Sequence, residues 1–291
     1  MKFEIPATWL PLLGVAALWT PAMLAASYVW GHGEYYDYGW FVPPAALWLM
    51  VRRWQGLDAA VVRLPRRQVV LVGAALLLPW ILVLRVLGYA DPSWRLPMVL
   101  LGMTAAGVSH LLLAVSRGWR VSADFGWITL LWLSALPWPT VVETGIVHHL
   151  TQGVVTAVAD VFQMAGKPVE VLGDRLRLHD MTVEVTDGCS GVRSFQSFVM
   201  ATWFFAELHR LPVKRTLILL GCACGVAFGV NMARTYALAQ IRFEQGQAAF
   251  DQAHDALGLL AFGISGLIFY VLSDRLSLKP RRTVVTTVQS H

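Results

Sequence analysis

Cys189, Arg234 and His254 are three ionisable side chains that each stand where an apolar run meets polar sequence. Thr186-Asp187-Gly188-Cys189-Ser190-Gly191-Val192-Arg193-Ser194 opens one apolar run, Asn231-Met232-Ala233-Arg234 closes the next, and His254-Asp255-Ala256-Leu257-Gly258 opens a third. Together they supply a thiol nucleophile, an acid/base and a fixed cation. Nucleophilic thiol catalysis needs these parts: a sulfur to attack a carbonyl, a proton shuttle for the leaving group, and a donor for the developing oxyanion.

The residues around each candidate bear on that chemistry. A cysteine at a helix start meets free amides and the positive end of the helix dipole, which favour its thiolate. Arg193, one turn on, adds to that effect, whereas Asp187 opposes it or simply caps the helix. Position alone leaves Cys189 either reactive or a small buried hydrophobe. A disulfide is hard to build, because Cys222 and Cys224 lie well inside the following apolar run. Arg234 is a snorkelling anchor or an inward-facing functional group, and Asn231 three residues earlier shares its helix face. His254 taken singly reads as a surface or capping residue. Ser190 and Ser194 admit a serine nucleophile, but the adjacent thiol is the better one.

The elements that must position these groups follow from composition. With 56% hydrophobic and 14% charged residues, and a mean hydropathy of +0.56, the chain has too little polar surface to cover a soluble globule. Apolar stretches near the roughly 20 residues needed to cross a bilayer fall at 7–29, 37–51, 69–89, 96–115, 126–142, 189–206, 216–233 and 255–273. The expected fold is therefore an all-α polytopic membrane protein with about eight transmembrane helices. Arginine and lysine crowd one side, at Arg52, Arg53, Arg63, Arg66, Arg67, Arg117, Arg120, Arg210, Lys214, Arg215, Arg275, Lys279, Arg281 and Arg282. The other side holds Arg95, Lys167, Arg175, Arg177 and Arg242. The positive-inside rule then places both termini in the cytoplasm and the three candidates at the outer boundary. The net charge of +5 is a topology signal, and nothing in it suggests nucleic acid.

A small α+β extracytoplasmic insertion is expected between helices 5 and 6, over residues 143–188. Its first part, from Gly145 to Met164, has the spacing of an interfacial helix. Its second part alternates apolar and polar residues around Gly173-Asp174, which predicts a hairpin or three-stranded ribbon. Residues 1–291 read as a single domain with a polar cytoplasmic tail at 280–291. His148, His149 and His179 lack metal-ligand spacing, so neither metal nor cofactor is expected. Cys222-Ala223-Cys224 reads as close helix packing, and Glu143, Asp160 and Glu184 as solvated. Arg85 and His110 lie in or near spans and need partners.

Cys189–Ser194 (Cys-Ser-Gly-Val-Arg-Ser), Asn231–Arg234 (Asn-Met-Ala-Arg), and His254 with Gly258 resemble the exosortase/archaeosortase membrane transpeptidases, in particular the bacterial exosortases. Gly166-Lys167-Pro168-Val169, Pro137-Trp138-Pro139 and the front stretch from Tyr36 to Pro44 are similar too. Tyr38 stands where the family has a histidine, and Asp187-Gly188 where Glu-Ala is usual, so no substrate motif is carried over. The resemblance implies a cysteine peptidase/transpeptidase of the inner membrane, with Cys189, Arg234 and His254 catalytic and Asp187, Ser190, Arg193 and Asn231 supporting. Its implied partners are the bilayer and exported proteins with a C-terminal signal made of a motif, a transmembrane helix and a basic tail. A Cys thioester would pass to water or to a lipid or glycan amine. The alternative from another class is a non-catalytic transporter or assembly scaffold, in which Arg234 and His254 line a polar outer cavity.

Overall fold

A computed structural model of the chain describes residues 6–33, 35–57, 62–178, 181–185 and 191–277. Ten α-helices run through these residues: α1 (Leu10–His32), α2 (Val42–Gln55), α3 (Arg67–Ala90), α4 (Arg95–Arg117), α5 (Trp119–Asp124), α6 (Gly126–Ser134), α7 (Thr140–Met164), α8 (Val192–Leu208), α9 (Val213–Gln245) and α10 (Gln247–Ser277). Between α7 and α8 lie β1 (Glu170–Leu172), β2 (Arg175–Leu178) and β3 (Met181–Glu184), an antiparallel sheet in the order β1-β2-β3. Its register pairs Val171 with Leu176 and Leu176 with Val183. The alternation around Gly173-Asp174 thus forms the expected ribbon.

Five helices are long and apolar enough to cross a membrane: α1, α3, α4, α9 and α10. The other three apolar runs give shorter helices, α2 of 14 residues, α6 of 9 and α8 of 17. The run at 126–142 is not one helix. The two prolines of Pro137-Trp138-Pro139 stop α6 at Ser134, and the chain restarts as α7 at Thr140, since proline cannot donate to a continuing ladder. In α3 every residue from Val69 to Tyr89 except buried Leu84 is at least partly exposed, which suits a helix facing lipid.

Three apolar clusters organise the rest. The largest joins α1, α2, α4 and α6, where Trp19 stacks on Trp132 at 5.3 Å and the Trp30 Nε1–H donates to the Ala135 carbonyl at 2.7 Å. A second joins α8, α9 and α10 around Phe198, Leu219 and Phe269. The third unites α7, the ribbon and the far end of α9 through Val158, Phe162, Leu176, Val183 and Phe243. At the opposite end of α8, Arg53 of α2 makes a bidentate pair with buried Glu207, at 2.7 Å for both contacts.

α9 and α10 form a long hairpin of 33 and 31 residues. At 1.5 Å per residue each is about 50 Å long, well beyond a hydrocarbon core of roughly 30 Å. Gly246 turns the chain between them in the left-handed region, at φ +85°. Asn231–Arg234 and His254 end or begin the apolar runs, as the sequence indicates, but the helices themselves continue past them toward Gly246. That overshoot gives the ribbon a surface, and β3 packs on α9.

Candidate functional site

The site is assembled where α8 begins, beside the middle of the α9–α10 hairpin. Gly191 precedes α8 at φ +81°, and a Cβ there would come within 2.8 Å of the Asn231 Cγ. Only glycine allows both that backbone conformation and that approach. Val192 is fully buried and anchors the first turn in the large cluster. Arg193, on the next position, stays largely exposed and lies 3.9 Å from the Asp37 carboxylate of the α1–α2 connection. Asn231 is buried on α9, and Arg234, three residues on, emerges near the same face.

Arg234 Nη2 lies 3.2 Å from His254 Nε2. A guanidinium can only donate, so His254 Nε2 is the acceptor and its proton sits on Nδ1. That Nδ1–H faces the Asp255 carboxylate at 3.2 Å. The Phe250 ring flanks the imidazole at 5.8 Å between centroids. Arg234 Nε is buried without a hydrogen-bond partner among the described residues. The pair borders an open cavity of about 870 Å³, lined also by Gly191, Arg193, Ser194 and Asn231.

Among the expected site residues, Arg193, Asn231, Arg234 and His254 are therefore brought to one cavity. Asp187, Cys189 and Ser190 lie outside the described residues, as does His179. Sequence reasoning missed Tyr35 and Asp174, which line the cavity, and gave Glu184 no role beyond solvation, although it lines the cavity too. Asp174 and Glu184 arrive from the ribbon, and only the folding of that insertion over α9 brings them near His254. Among the described residues no three His, Cys, Asp or Glu side chains group as metal ligands, and His148 and His149 are merely ring neighbours at 5.7 Å.

A second polar cluster stands close by. Glu143, expected to be solvated, is buried and forms a 2.7 Å ion pair with Arg95. The Tyr36 hydroxyl donates to the other Glu143 oxygen and accepts from the Trp138 backbone N–H at 2.9 Å. Burial, then the bond to Glu143, hold this phenol far above its ordinary range. The chain turn at Pro137-Trp138-Pro139 brings the first turn of α7 to Arg95, the first residue of α4, and so buries Glu143. The other two ionisable groups left open are also partnered. Arg85 donates to the Tyr89 hydroxyl at 2.9 Å, and His110 contacts Ser122 and Thr129 hydroxyls at 2.9 and 3.0 Å. A cavity of about 610 Å³ lined by His110, Arg53 and Arg210 contains neither Arg234 nor His254.

Fold and site together define a multi-pass membrane protein with a polar cavity built around an arginine–histidine pair. The family model described as Transmembrane exosortase matches residues 30–271, so the chain belongs to the transmembrane exosortase family. No curated relative and no solved structure matches it. Membership carries a membrane sorting or transpeptidase role in general, of the cysteine-peptidase type.

Proposed function

We propose that this chain is a membrane-embedded cysteine protease/transpeptidase that removes a C-terminal sorting signal from exported proteins at the outer membrane–water interface. The observation that carries this reading is the Arg234–His254 pair, 3.2 Å apart and facing the start of α8 across one cavity. Gly191, two residues along the chain from Cys189, lines that cavity, and two peptide units span at most about 7 Å. In this reading α2, α8 and the consecutive α5–α6 segment complete eight spans together with the five long helices, with both termini cytoplasmic and the cavity outside.

In the first step the Cys189 sulfur attacks the scissile carbonyl as His254 Nε2 takes the thiol proton. Arg234 turns from the imidazole to the developing oxyanion, a move that its one hydrogen bond among the described residues, to His254, permits. The C–N bond breaks, the amine keeps the proton from His254, and the signal helix departs, leaving a Cys189 thioester. Water or an amine then attacks the thioester carbonyl and the thiol is regenerated. Asp255 holds the imidazole tautomer that makes Nε2 the base, Arg193 favours the thiolate, and Asn231 fixes Gly191 at the head of α8. Asp187 and Ser190 flank the nucleophile in sequence and support it.

The test is to map C-termini of exported proteins by mass spectrometry in host cells carrying the wild-type chain or Cys189→Ala. A set of proteins that loses its C-terminal helix only with the wild type is expected. Coincident profiles, with both chains expressed, overturn the reading and favour a transporter or scaffold.

A further inference from the structure

The cavity of about 610 Å³ stands at the arginine-rich end of the molecule, between the last turn of α2, the start of α6 and the turn from α8 to α9. Three guanidinium groups gather there around one carboxylate, since Arg53, Arg210 and Arg52 all act electrostatically on buried Glu207. Arg53 alone occupies both Glu207 oxygens, at 2.7 Å each. Arg52 donates to the Leu208 carbonyl at 3.0 Å. Arg210 borders the cavity, is exposed, and its guanidinium makes no hydrogen bond or ion pair among the described residues. Positive charge is therefore in excess at the cavity mouth, and exposed Lys214 nearby adds to it.

The backbone at Arg210 is unusual as well. Its φ is +51°, and among the described residues no other non-glycine residue has a positive φ. The Leu211 N–H donates to the Ala206 carbonyl at 2.8 Å and the Arg210 N–H to the Glu207 carbonyl at 3.1 Å. This is the helix-ending motif whose left-handed position ordinarily falls to glycine. An arginine there strains the turn, and what it supplies in return is a fork of donors beside the cavity. The remaining walls are mixed. Trp127, stacked on Trp203 at 5.7 Å, Leu130 and Leu211 are apolar, and both ring nitrogens of His110 already meet the Ser122 and Thr129 hydroxyls. Pro212 and Val213 add the positive end of α9. Asp124 is the one carboxylate on the lining, and it is exposed.

We infer that this cavity binds the phosphodiester headgroup of a singly charged anionic phospholipid, drawn from the leaflet that meets the arginine-rich end. The uncompensated guanidinium groups select a phosphate oxygen, for which Arg210 is free to turn. The apolar walls select a lipid over inorganic phosphate, because Trp127 and Leu130 belong to an apolar run and Val213 opens one, so the cavity straddles the headgroup level. Asp124 sets the charge of the ligand: it tolerates one phosphate beside the arginines and opposes a second. A lipid seated there bridges α2, α6 and the α8–α9 turn, at the opposite end of α8 from Gly191. The site is thus independent of the sorting reaction.

The experiment uses the full chain, delipidated in a neutral detergent, and follows its thermal unfolding midpoint against added phosphatidylglycerol, phosphatidylcholine or inorganic phosphate, with native mass spectrometry to count retained lipid. Phosphatidylglycerol is expected to raise the midpoint, to saturate, and to stay bound as a single copy, whereas the other two leave the midpoint unchanged. Arg210→Gly should bind phosphatidylglycerol about fivefold more weakly, the modest loss that suits an exposed charge. Without lipid it should unfold no earlier than the wild type, since glycine relieves the turn. Asp124→Asn should bind more tightly, and Lys214→Gln, an exposed cation outside the cavity lining, should bind as the wild type does. If Arg210→Gly does not fold, the Asp124→Asn comparison decides alone. An equal response to phosphatidylcholine overturns the inference, as does one to inorganic phosphate at the same concentration. So does unaltered affinity in Asp124→Asn, or a loss in Lys214→Gln as large as that in Arg210→Gly, which marks diffuse surface charge.

Discussion

Two arginine-centred clusters lie near one another in this molecule, and they are built on opposite terms. Arg95 is locked: its guanidinium meets Glu143 at 2.7 Å and the Trp138 carbonyl at 3.1 Å, and Tyr36 closes the other side of the carboxylate. Among the described residues Arg234 is held more loosely, with one hydrogen bond, to His254, and a buried Nε that lacks a partner. The first cluster satisfies its charges with each other and ties together α4, α7 and the α1–α2 connection. The second, among the described residues, leaves an Arg234 donor without a partner beside a cavity. Burial with full pairing marks an architectural role, whereas incomplete pairing beside open space marks a site. The two are mechanically joined, because the Trp138 ring meets Phe195 of α8 edge-on and Tyr35, next to Tyr36, lines the cavity.

Breaking each cluster should therefore fail in a different way. His254→Ala or Arg234→Ala is expected to reduce helix removal by about a thousandfold, the range for a lost proton shuttle or oxyanion donor. Thermal unfolding in detergent should barely change for either variant. Glu143→Gln should do the reverse. It strands the Arg95 charge and costs about 3 kcal/mol of stability, read as a lower denaturation midpoint, while the activity of the folded fraction persists. An Arg95→Met/Glu143→Leu double variant recovering much of that loss would sharpen the contrast, and an unchanged midpoint for Glu143→Gln would break it.

Smaller effects test the joints between the clusters. Gly191→Ala forces a side chain into φ +81° and against Asn231, a strain of about 1–2 kcal/mol. Both stability and helix removal should fall, since Gly191 serves packing and site together. Tyr38→Phe removes the hydroxyl bond to the Ser134 carbonyl at 2.9 Å and should cost about 1 kcal/mol with no direct effect on the site.

The least effect is expected at Lys167–Glu244, an exposed 2.7 Å pair joining the far ends of α7 and α9. The hydrogen bond and charge of Lys167 hold the Glu244 carboxyl below its ordinary range. A depressed folded value means that the pair contributes above the unfolded carboxylate value of roughly 4.3 and loses its contribution as pH falls through the folded one. The midpoint difference between wild type and Glu244→Gln should thus shrink on acidification and in high salt. A difference that grows in acid would contradict the pairing.

Hydropathy and charge asymmetry alone determined that this chain is a helical membrane protein, because lipid demands long apolar helices with internally satisfied backbone. The ribbon was legible for a similar reason, since period-two alternation around Gly173-Asp174 has few other solutions. Motif spacing also singled out Asn231, Arg234 and His254, which lie on consecutive helices at the ends of apolar runs. What tertiary structure decided was contact across distant elements. Glu143 looked like any solvated acid until the turn at Pro137-Trp138-Pro139 delivered it to Arg95 and Tyr36. Glu184, Arg242 and Asp251 carry no local mark at all, and they meet beside His254 only because α9 and α10 overshoot the apolar layer and the ribbon folds onto them. Local sequence encodes periodicity and solvent preference, whereas the pairing of charges far apart along the chain depends on how the helices and ribbon pack.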